Sequence, residues 1–212
     1  MYLIVPGEAS LLEKGGVFVL AIVKMEQVAP RIEVGSQLTL EEFANILHRE
    51  EDAFVTVATK TQQGVWAERN YKVKEWFNYV TTDVDKGCYS SVNTFYKRSR
   101  SNQNARHLNA LFVDLDVYNK NISKLDAISG IDFLVGKEIL LEPTFIVDSG
   151  RGLYAIWKIE SVPGRFQNAQ KLYSHVQEYL IENMKDLGAD PKAKDIARVL
   201  RVPGSFNAKS DS

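Results

Sequence analysis

Two aspartates, Asp114 and Asp116, end an apolar stretch and are separated by one residue. The β-branched and aromatic residues around them predict a strand over 110–117. In a strand, side chains at i and i+2 lie on the same face, so the two carboxylates are expected side by side. Such a pair supplies hard oxygen ligands for Mg²⁺ or Mn²⁺, which suits phosphoryl transfer. The same spacing also fits two solvated aspartates at a strand end, and the pair alone leaves both interpretations open.

A second polar motif, Ser-Gly-Arg-Gly, occupies 149–152 between two apolar stretches. The pattern over 143–159 predicts a hairpin whose turn contains these residues. Glycines let a backbone approach an anion closely, and Arg151 offers a guanidinium fork suited to phosphate. The alternative is an ordinary hairpin in which the glycines only form the turn and Arg151 is solvated.

The third motif extends from Gly188 to Lys209 and combines a carboxylate with several cations. Asp190 follows the glycine that is expected to end a helix, and Arg198 and Arg201 lie on a strand-like segment. The carboxylate could complete a metal site while the cations bind a triphosphate or a template strand. A helix terminus with ordinary surface charges is the alternative.

A basic segment lies upstream of the aspartate pair. Its cations are Lys97, Arg98, Arg100 and Arg106, and Phe95 and Tyr96 accompany them. Cations with neighbouring aromatic rings can follow a nucleic-acid backbone and stack on bases. A solvated loop without a ligand has the same composition, so this segment also permits two interpretations.

Composition limits the remaining possibilities. The chain has 212 residues, a formal net charge of −1 and one cysteine, Cys88. A single cysteine excludes an internal disulfide and a cysteine-based zinc site, and the net charge gives no overall attraction to nucleic acid. No apolar run is long enough to span a bilayer, and no signal peptide is evident. We therefore expect a cytoplasmic protein without a membrane partner.

The periodicity of the chain predicts a mixture of strands and helices without strict βαβ alternation, which indicates the α+β class. Thr39 and Glu42 are expected to form the capping box of the first helix. The predicted strands cover 15–25, 52–61, 64–73, 110–117, 143–159 (as a hairpin) and 197–204, and the predicted helices cover 36–50, 122–139 and 165–189.

Taken in order, the three polar motifs resemble those of the catalytic domain of the archaeo-eukaryotic primase superfamily. The likeness is to the primase-polymerase domains of plasmids, phages and integrative elements. It covers 88–209 and is most specific over 190–207. The resemblance implies an RRM-like α+β core with a mixed or antiparallel central sheet flanked by helices. We expect a single domain, 1–212, with an additional N-terminal α/β subregion, 1–87, at the N-terminal part of a longer replication protein.

The resemblance also implies roles for individual residues. Asp114, Asp116 and Asp190 match catalytic ligands of two Mg²⁺ or Mn²⁺ ions, with Asp195 as a rival for the third position. The positions that match nucleotide-binding residues are Ser149, Arg151, Gly152, Tyr154, Arg201, Asn207 and Lys209; Ser205 falls where the family contacts nucleotide or template. Single-stranded DNA is expected along Lys97, Arg98, Arg100, Arg106 and Arg198.

One departure from the family pattern concerns Tyr154, where a histidine is usual. A tyrosine can donate a hydrogen bond but carries no positive charge near neutral pH, so stabilisation of a triphosphate would rest more on Arg151.

The implied function is template-directed nucleotidyl transfer by a DNA primase, a DNA polymerase, or both. The expected partners are a single-stranded DNA template, ribo- or deoxynucleoside triphosphates, and a replicative helicase or initiator domain. A catalytically weak replication initiator or DNA-binding module of the same fold, and a metal-dependent nuclease, remain the alternatives.

Overall fold

A single antiparallel sheet positions the polar motifs. The computed structural model describes residues 40–49, 52–80 and 86–205. Its strands are β1 (Phe54–Thr61), β2 (Trp66–Lys72), β3 (Lys86–Ser91), β4 (Thr94–Phe95), β5 (Ala105–Leu115), β6 (Phe145–Asp148), β7 (Leu153–Pro163) and β8 (Val199–Arg201). Its helices are α1 (Leu40–Leu47), α2 (Lys124–Gly136) and α3 (Gln167–Asn183).

The strand order within the described residues is β6-β7-β5-β4-β1-β3-β8, with β2 paired to β1. Each of these pairings is antiparallel. The sequence prediction of an α+β fold with an antiparallel central sheet and flanking helices is therefore confirmed. The described part of 1–87 contributes α1, β1, β2 and the start of β3, and all three strands belong to this same sheet. The predicted strand over 15–25 and the proposed cap at Thr39 lie outside the described residues.

The alternation of side chains along β5 divides the core between the two faces of the sheet. On one face, Leu111, Val113 and Leu115 pack in a cluster to which α2 and α3 contribute. On the other face, Ala110 and Phe112 belong to a cluster that includes residues of α1, β7 and β8. Because both faces are covered, β5 is a buried and rigid element that leads to the aspartate pair.

Side chains of α3 replace a neighbouring strand along part of β5. The two-residue strand β4 reaches only to His107 of β5. Beyond it, the Tyr173 hydroxyl donates to the carbonyl of Ala110 at 2.9 Å. Gln177, which is fully buried, accepts from the Phe112 N–H at 3.0 Å and donates to the Phe112 carbonyl at 2.7 Å. Since buried backbone groups need partners, these contacts fix α3 against the strand that carries Asp114.

No helix within 40–49, 52–80 and 86–205 has the length and apolar character needed to cross a bilayer.

Candidate functional site

Asp114 and Asp116 lie at the end of β5, where the sheet meets a short turn. Asp114 is within the strand, whereas Asp116 precedes the 3-10 turn Val117–Lys120 with φ −80° and ψ 64°. Burial, together with the negative charges of Asp116 and Asp190, raises the pKa of Asp114 to about 7, although the guanidinium of Arg198 acts in the opposite direction. A partly buried carboxylate thus experiences the charges of two other carboxylates, with partial compensation by one guanidinium.

Two glycines from distant parts of the chain pack directly on this strand end. A Cβ atom on Gly152 would lie 2.1 Å from the carbonyl oxygen of Leu115, and one on Gly188 would lie 2.8 Å from that of Asp116. Gly188 also has φ +94°, a left-handed conformation that favours glycine. Gly152 was expected to bind nucleotide, and the structure gives it a packing role that brings the second motif against the first.

The segment 188–190 continues the sheet beside the aspartate pair. Ala189 forms an isolated antiparallel bridge with Leu115. The N–H of Asp190 donates to the carbonyl of Asp114 at 2.8 Å, and the N–H of Asp116 donates to the carbonyl of Gly188 at 2.8 Å. These bonds bring the backbone of the third aspartate beside the first two, although it follows α3 in the sequence.

The side chains of the three aspartates do not enclose a cation site. Across 40–49, 52–80 and 86–205, no three Asp, Glu, His or Cys side chains are grouped closely enough to hold a metal ion. Oδ1 of Asp190 accepts from the Lys192 N–H at 2.9 Å, and its Oδ2 lies 3.7 Å from Nη2 of Arg198. The Asp190 carboxylate thus has its contacts with its own segment and with Arg198. The donor set itself fits a hard divalent ion, because it consists of carboxylate oxygens with incomplete charge compensation.

The second motif forms the predicted hairpin turn between β6 and β7. The Ser149 N–H donates to the carbonyl of Gly152 at 3.0 Å, and the Gly150 N–H donates to Oδ1 of Asp148 at 2.7 Å. Nζ of Lys124 lies 2.7 Å from both carboxylate oxygens of Asp148. This ion pair connects the turn to the first residue of α2. Arg151 is exposed within the turn.

Sequence reasoning missed Tyr118, which lies beside the aspartates in the turn that follows them. Its side chain is half-exposed. Desolvation, the charge of Asp116 and a hydrogen bond to the Asp116 carboxylate raise its pKa, whereas the charge of Arg151 lowers it. Tyr118 thus connects the first motif with the cation of the second. Its position two residues after Asp116 was the available signal.

Tyr154, expected at the triphosphate, lies opposite Asp114 on β7 and is only 7% exposed. The Arg201 N–H donates to its hydroxyl at 3.4 Å, and burial together with the charge of Asp114 raises its pKa. The guanidinium of Arg201 contacts Tyr89, with Nη2 donating to the Tyr89 hydroxyl at 2.8 Å. Tyr154 therefore packs in the cluster with Phe112 of β5 and Leu200 of β8. The Arg201 side chain is held against Tyr89 of β3.

The cations expected to bind DNA do not form one continuous row. Arg100 pairs with Glu68, and its Nη1 donates to the carbonyl of Ala197 at 2.6 Å. Nη1 of Arg106 donates to the carbonyl of Asp52 at 3.1 Å.

The remaining two cations of the basic segment differ from these. The guanidinium carbon of Arg98 lies 5.7 Å from the centre of the Phe54 ring, and Lys97 is exposed. Arg100 thus has a structural role, while Lys97 and Arg98 remain accessible at the surface.

Further residues of the third motif serve its local structure. The Ser205 hydroxyl, buried, donates to the carbonyl of Cys88 at 3.0 Å. The carbonyl of Asp195 accepts from the Arg198 N–H at 2.9 Å, so Asp195 forms a turn that precedes β8. Asn207 and Lys209 lie outside the described residues.

The chain is similar to one curated protein and to several solved structures. No family model matches the sequence. A replication protein of Clostridium perfringens is 34% identical over 174 residues, which are 82% of this chain and 41% of the relative. The chain thus spans about two fifths of that relative's length.

Among solved structures, the AEP domain of the cyanophage S-2L primase-polymerase aligns with a TM-score of 0.57 and 15% identity, over 82% of this chain and 84% of that domain. The primase RepB′ aligns with a TM-score of 0.47 and 15% identity, over 81% of this chain and 52% of that one. The S-2L alignment confirms the fold that the motifs implied. The chain therefore shares the fold of that AEP domain.

Proposed function

We propose that this chain is a template-directed nucleotidyltransferase, acting as a DNA primase, a DNA polymerase, or both, on single-stranded DNA. One observation carries the proposal. The backbones of three motifs that are distant in the sequence pack on one another at the end of β5, so that Asp190 and the turn 149–152 meet the Asp114–Asp116 pair. The shared fold and the similarity to a replication protein support the same conclusion.

In this proposal Asp114, Asp116 and Asp190 hold Mg²⁺ or Mn²⁺, in one or two sites. When bound, such an ion supplies activation of a hydroxyl nucleophile and neutralisation of charge on a triphosphate. The chain's own residues do the positioning. The rigid strand β5 fixes Asp114, and the packed glycines fix the turn that presents Arg151, an exposed cation suited to phosphate. Tyr118 holds the Asp116 carboxylate by a hydrogen bond.

Nucleoside triphosphates and a single-stranded template are the substrates of this reaction. A helicase or initiator function would reside in the remainder of a longer replication protein, because the chain corresponds to 41% of its curated relative. We propose no preference between ribo- and deoxynucleotides.

The test is synthesis on a single-stranded template. The protein is incubated with template, Mn²⁺ or Mg²⁺ and labelled nucleotides, and the products are sized. We expect new or extended strands, and we expect Asp114→Asn to abolish them while Asp132→Asn, an exposed aspartate of α2, leaves them unchanged. Normal synthesis by the Asp114 variant would show that the assignment of this residue is wrong.

A second candidate is a DNA-binding replication module without efficient catalysis. Two observations favour it: Asp190 lies near Arg198 instead of joining the other aspartates, and Tyr154 is buried where a phosphate-binding side chain was expected. This candidate predicts template binding with no products in the same assay. A nuclease built on the same carboxylates predicts shortened template.

A further inference from the structure

One of the three tryptophans differs from the other two in its surroundings. Trp66 is 43% exposed on strand β2, whereas Trp76 and Trp157 are 1% and 2% exposed. The Trp66 ring lies against Tyr89 of β3, with ring centroids 5.2 Å apart and an interplanar angle of 48°. We call this pair, Trp66 and Tyr89, the aromatic platform.

Hydrogen bonds hold both rings of the aromatic platform in place. Nε1 of Trp66 donates to Oε1 of Glu68 at 2.8 Å, and Glu68 in turn pairs with Arg100. Nη2 of Arg201 donates to the Tyr89 hydroxyl, and its guanidinium carbon lies 4.7 Å from the centre of the Tyr89 ring. Rings that are fixed before a ligand arrives lose little conformational freedom on binding. The platform is thus preorganised, with Trp66 exposed and Tyr89 partly buried.

The register of the sheet places cations on the same face as these rings. Directly opposed residues of an antiparallel pair share a face. Lys60 is the partner of Trp66, and Arg201 is the partner of Tyr89. Lys60 thus lies on the strand between the two rings, and Arg201 lies on the strand beyond Tyr89. Aromatic rings with cations beside them are the combination that binds single-stranded nucleic acid, in which bases stack on rings and phosphates pair with cations.

A short series of contacts joins the aromatic platform to the candidate active site. Arg201, which contacts Tyr89 through its side chain, donates through its backbone to the Tyr154 hydroxyl. Tyr154 is the β7 partner of Asp114. A strand lying across the platform would therefore lie on a part of the sheet that is connected to Asp114 through Arg201 and Tyr154.

We propose that the aromatic platform stacks on an unpaired base of the template strand. The proposal rests on the proposed function, which makes single-stranded DNA a substrate. A sheet surface that carries two rings and two cations on adjacent strands suits an extended strand, whereas a free nucleotide is normally bound in a concave pocket. Stacking also accepts any base, as a template site must, because every base has a π-face.

The test uses the full chain, without nucleotides or divalent ions, at one fixed salt concentration. A labelled single-stranded oligodeoxynucleotide is titrated and its anisotropy is followed, alongside an oligomer of the same length with abasic positions. We expect Trp66→Ala to weaken binding of the normal oligomer by about 5- to 150-fold, the range for loss of one stacked base. Binding of the abasic oligomer should not change. Phe133→Ala, which removes a 62% exposed ring of α2, is the matched control and should have no effect on either.

Intrinsic fluorescence provides a second readout that does not depend on affinity. Because Trp76 and Trp157 are buried, quenching by the normal oligomer should report on Trp66 and should disappear in Trp66→Phe. Equal weakening of both oligomers by Trp66→Ala, an unchanged affinity, or full quenching in the Phe variant would overturn the proposal. Quenching by a free deoxynucleoside triphosphate at the concentration that suffices for the oligomer would also overturn it. If the chain carries out template-directed synthesis but gives one of these contrary results, the proposed function stands and only the role of the aromatic platform is rejected. Failure of the wild-type chain to bind DNA would reject both the proposed function and the role of the platform.

Discussion

Replacing Asp114 by asparagine should make the protein more stable when no divalent ion is present. Burial and neighbouring carboxylates raise the pKa of Asp114 from its ordinary value of 3.8 to about 7. A tenfold change in proton affinity corresponds to about 1.4 kcal/mol, so the rise disfavours the ionised folded state by up to about 4 kcal/mol at pH 7.5. Asparagine has a similar shape and no charge. We therefore expect the variant to gain about 2–4 kcal/mol in the free energy of unfolding.

The sign of this effect predicts its pH dependence. At about pH 3 and below the carboxyl is protonated in both the folded and the unfolded chain, and the wild type and the variant should be equally stable. Between pH 4 and 7 the unfolded chain loses the proton first, so the stability of the wild type falls relative to the variant. Above pH 7 the full difference is present.

Urea unfolding in EDTA, followed by circular dichroism at several pH values, measures the difference. Asp132→Asn is the matched control, since this aspartate is exposed on α2, and it should follow the wild type throughout. Added Mn²⁺ should stabilise the wild type and leave Asp114→Asn unaffected. A wild type as stable as the variant at pH 7.5, or a difference of the same size at about pH 3, would refute the reasoning.

Three other substitutions test the packing and charges of the site. Gly152→Ala should lower the free energy of unfolding, measured in urea, by at least about 2 kcal/mol, because its Cβ would lie 2.1 Å from the Leu115 carbonyl oxygen. The control Gly136→Ala should leave this free energy unchanged, because a Cβ there meets nothing within 4 Å. Tyr118→Phe removes the hydrogen bond to Asp116 and should raise the Mn²⁺ concentration needed for half-maximal synthesis by about 3- to 10-fold. The control Tyr179→Phe should not change this concentration. The same half-maximal Mn²⁺ concentration for both variants would refute the role of Tyr118. Arg198→Gln removes the guanidinium beside Asp190. The variant should therefore melt at a lower temperature than the wild type in EDTA, and Mn²⁺ should raise its melting temperature by more. An unchanged melting profile would contradict the charge argument.

Local sequence patterns predicted much of the fold. The apolar alternation and the glycine turn predicted the hairpin of β6 and β7, and helical spacing with a closing glycine predicted α3. The spacing of Asp114 and Asp116 at the end of an apolar run predicted their position at the end of β5. These features depend on neighbouring residues, so the sequence displays them directly.

Contacts between distant segments could not be predicted in the same way. Nothing in the spacing of α3 indicates that Gln177 serves the backbone of β5 in place of a strand. The pairing of Arg100 with Glu68, the burial of Tyr154 and the approach of Arg198 to Asp190 likewise depend on tertiary packing. Each of these residue types can either face solvent or make contacts within the protein. The tertiary packing determines that these residues make contacts within the protein.

Direct titration of Mn²⁺, with free ion measured by electron paramagnetic resonance, tests most directly whether the three aspartates act together. We predict that the wild-type chain binds Mn²⁺ and that Asp114→Asn, Asp116→Asn and Asp190→Asn each abolish or greatly weaken this binding, while Asp132→Asn does not. Wild-type binding by Asp190→Asn would contradict the account, because it would show that the third motif does not contribute to the site.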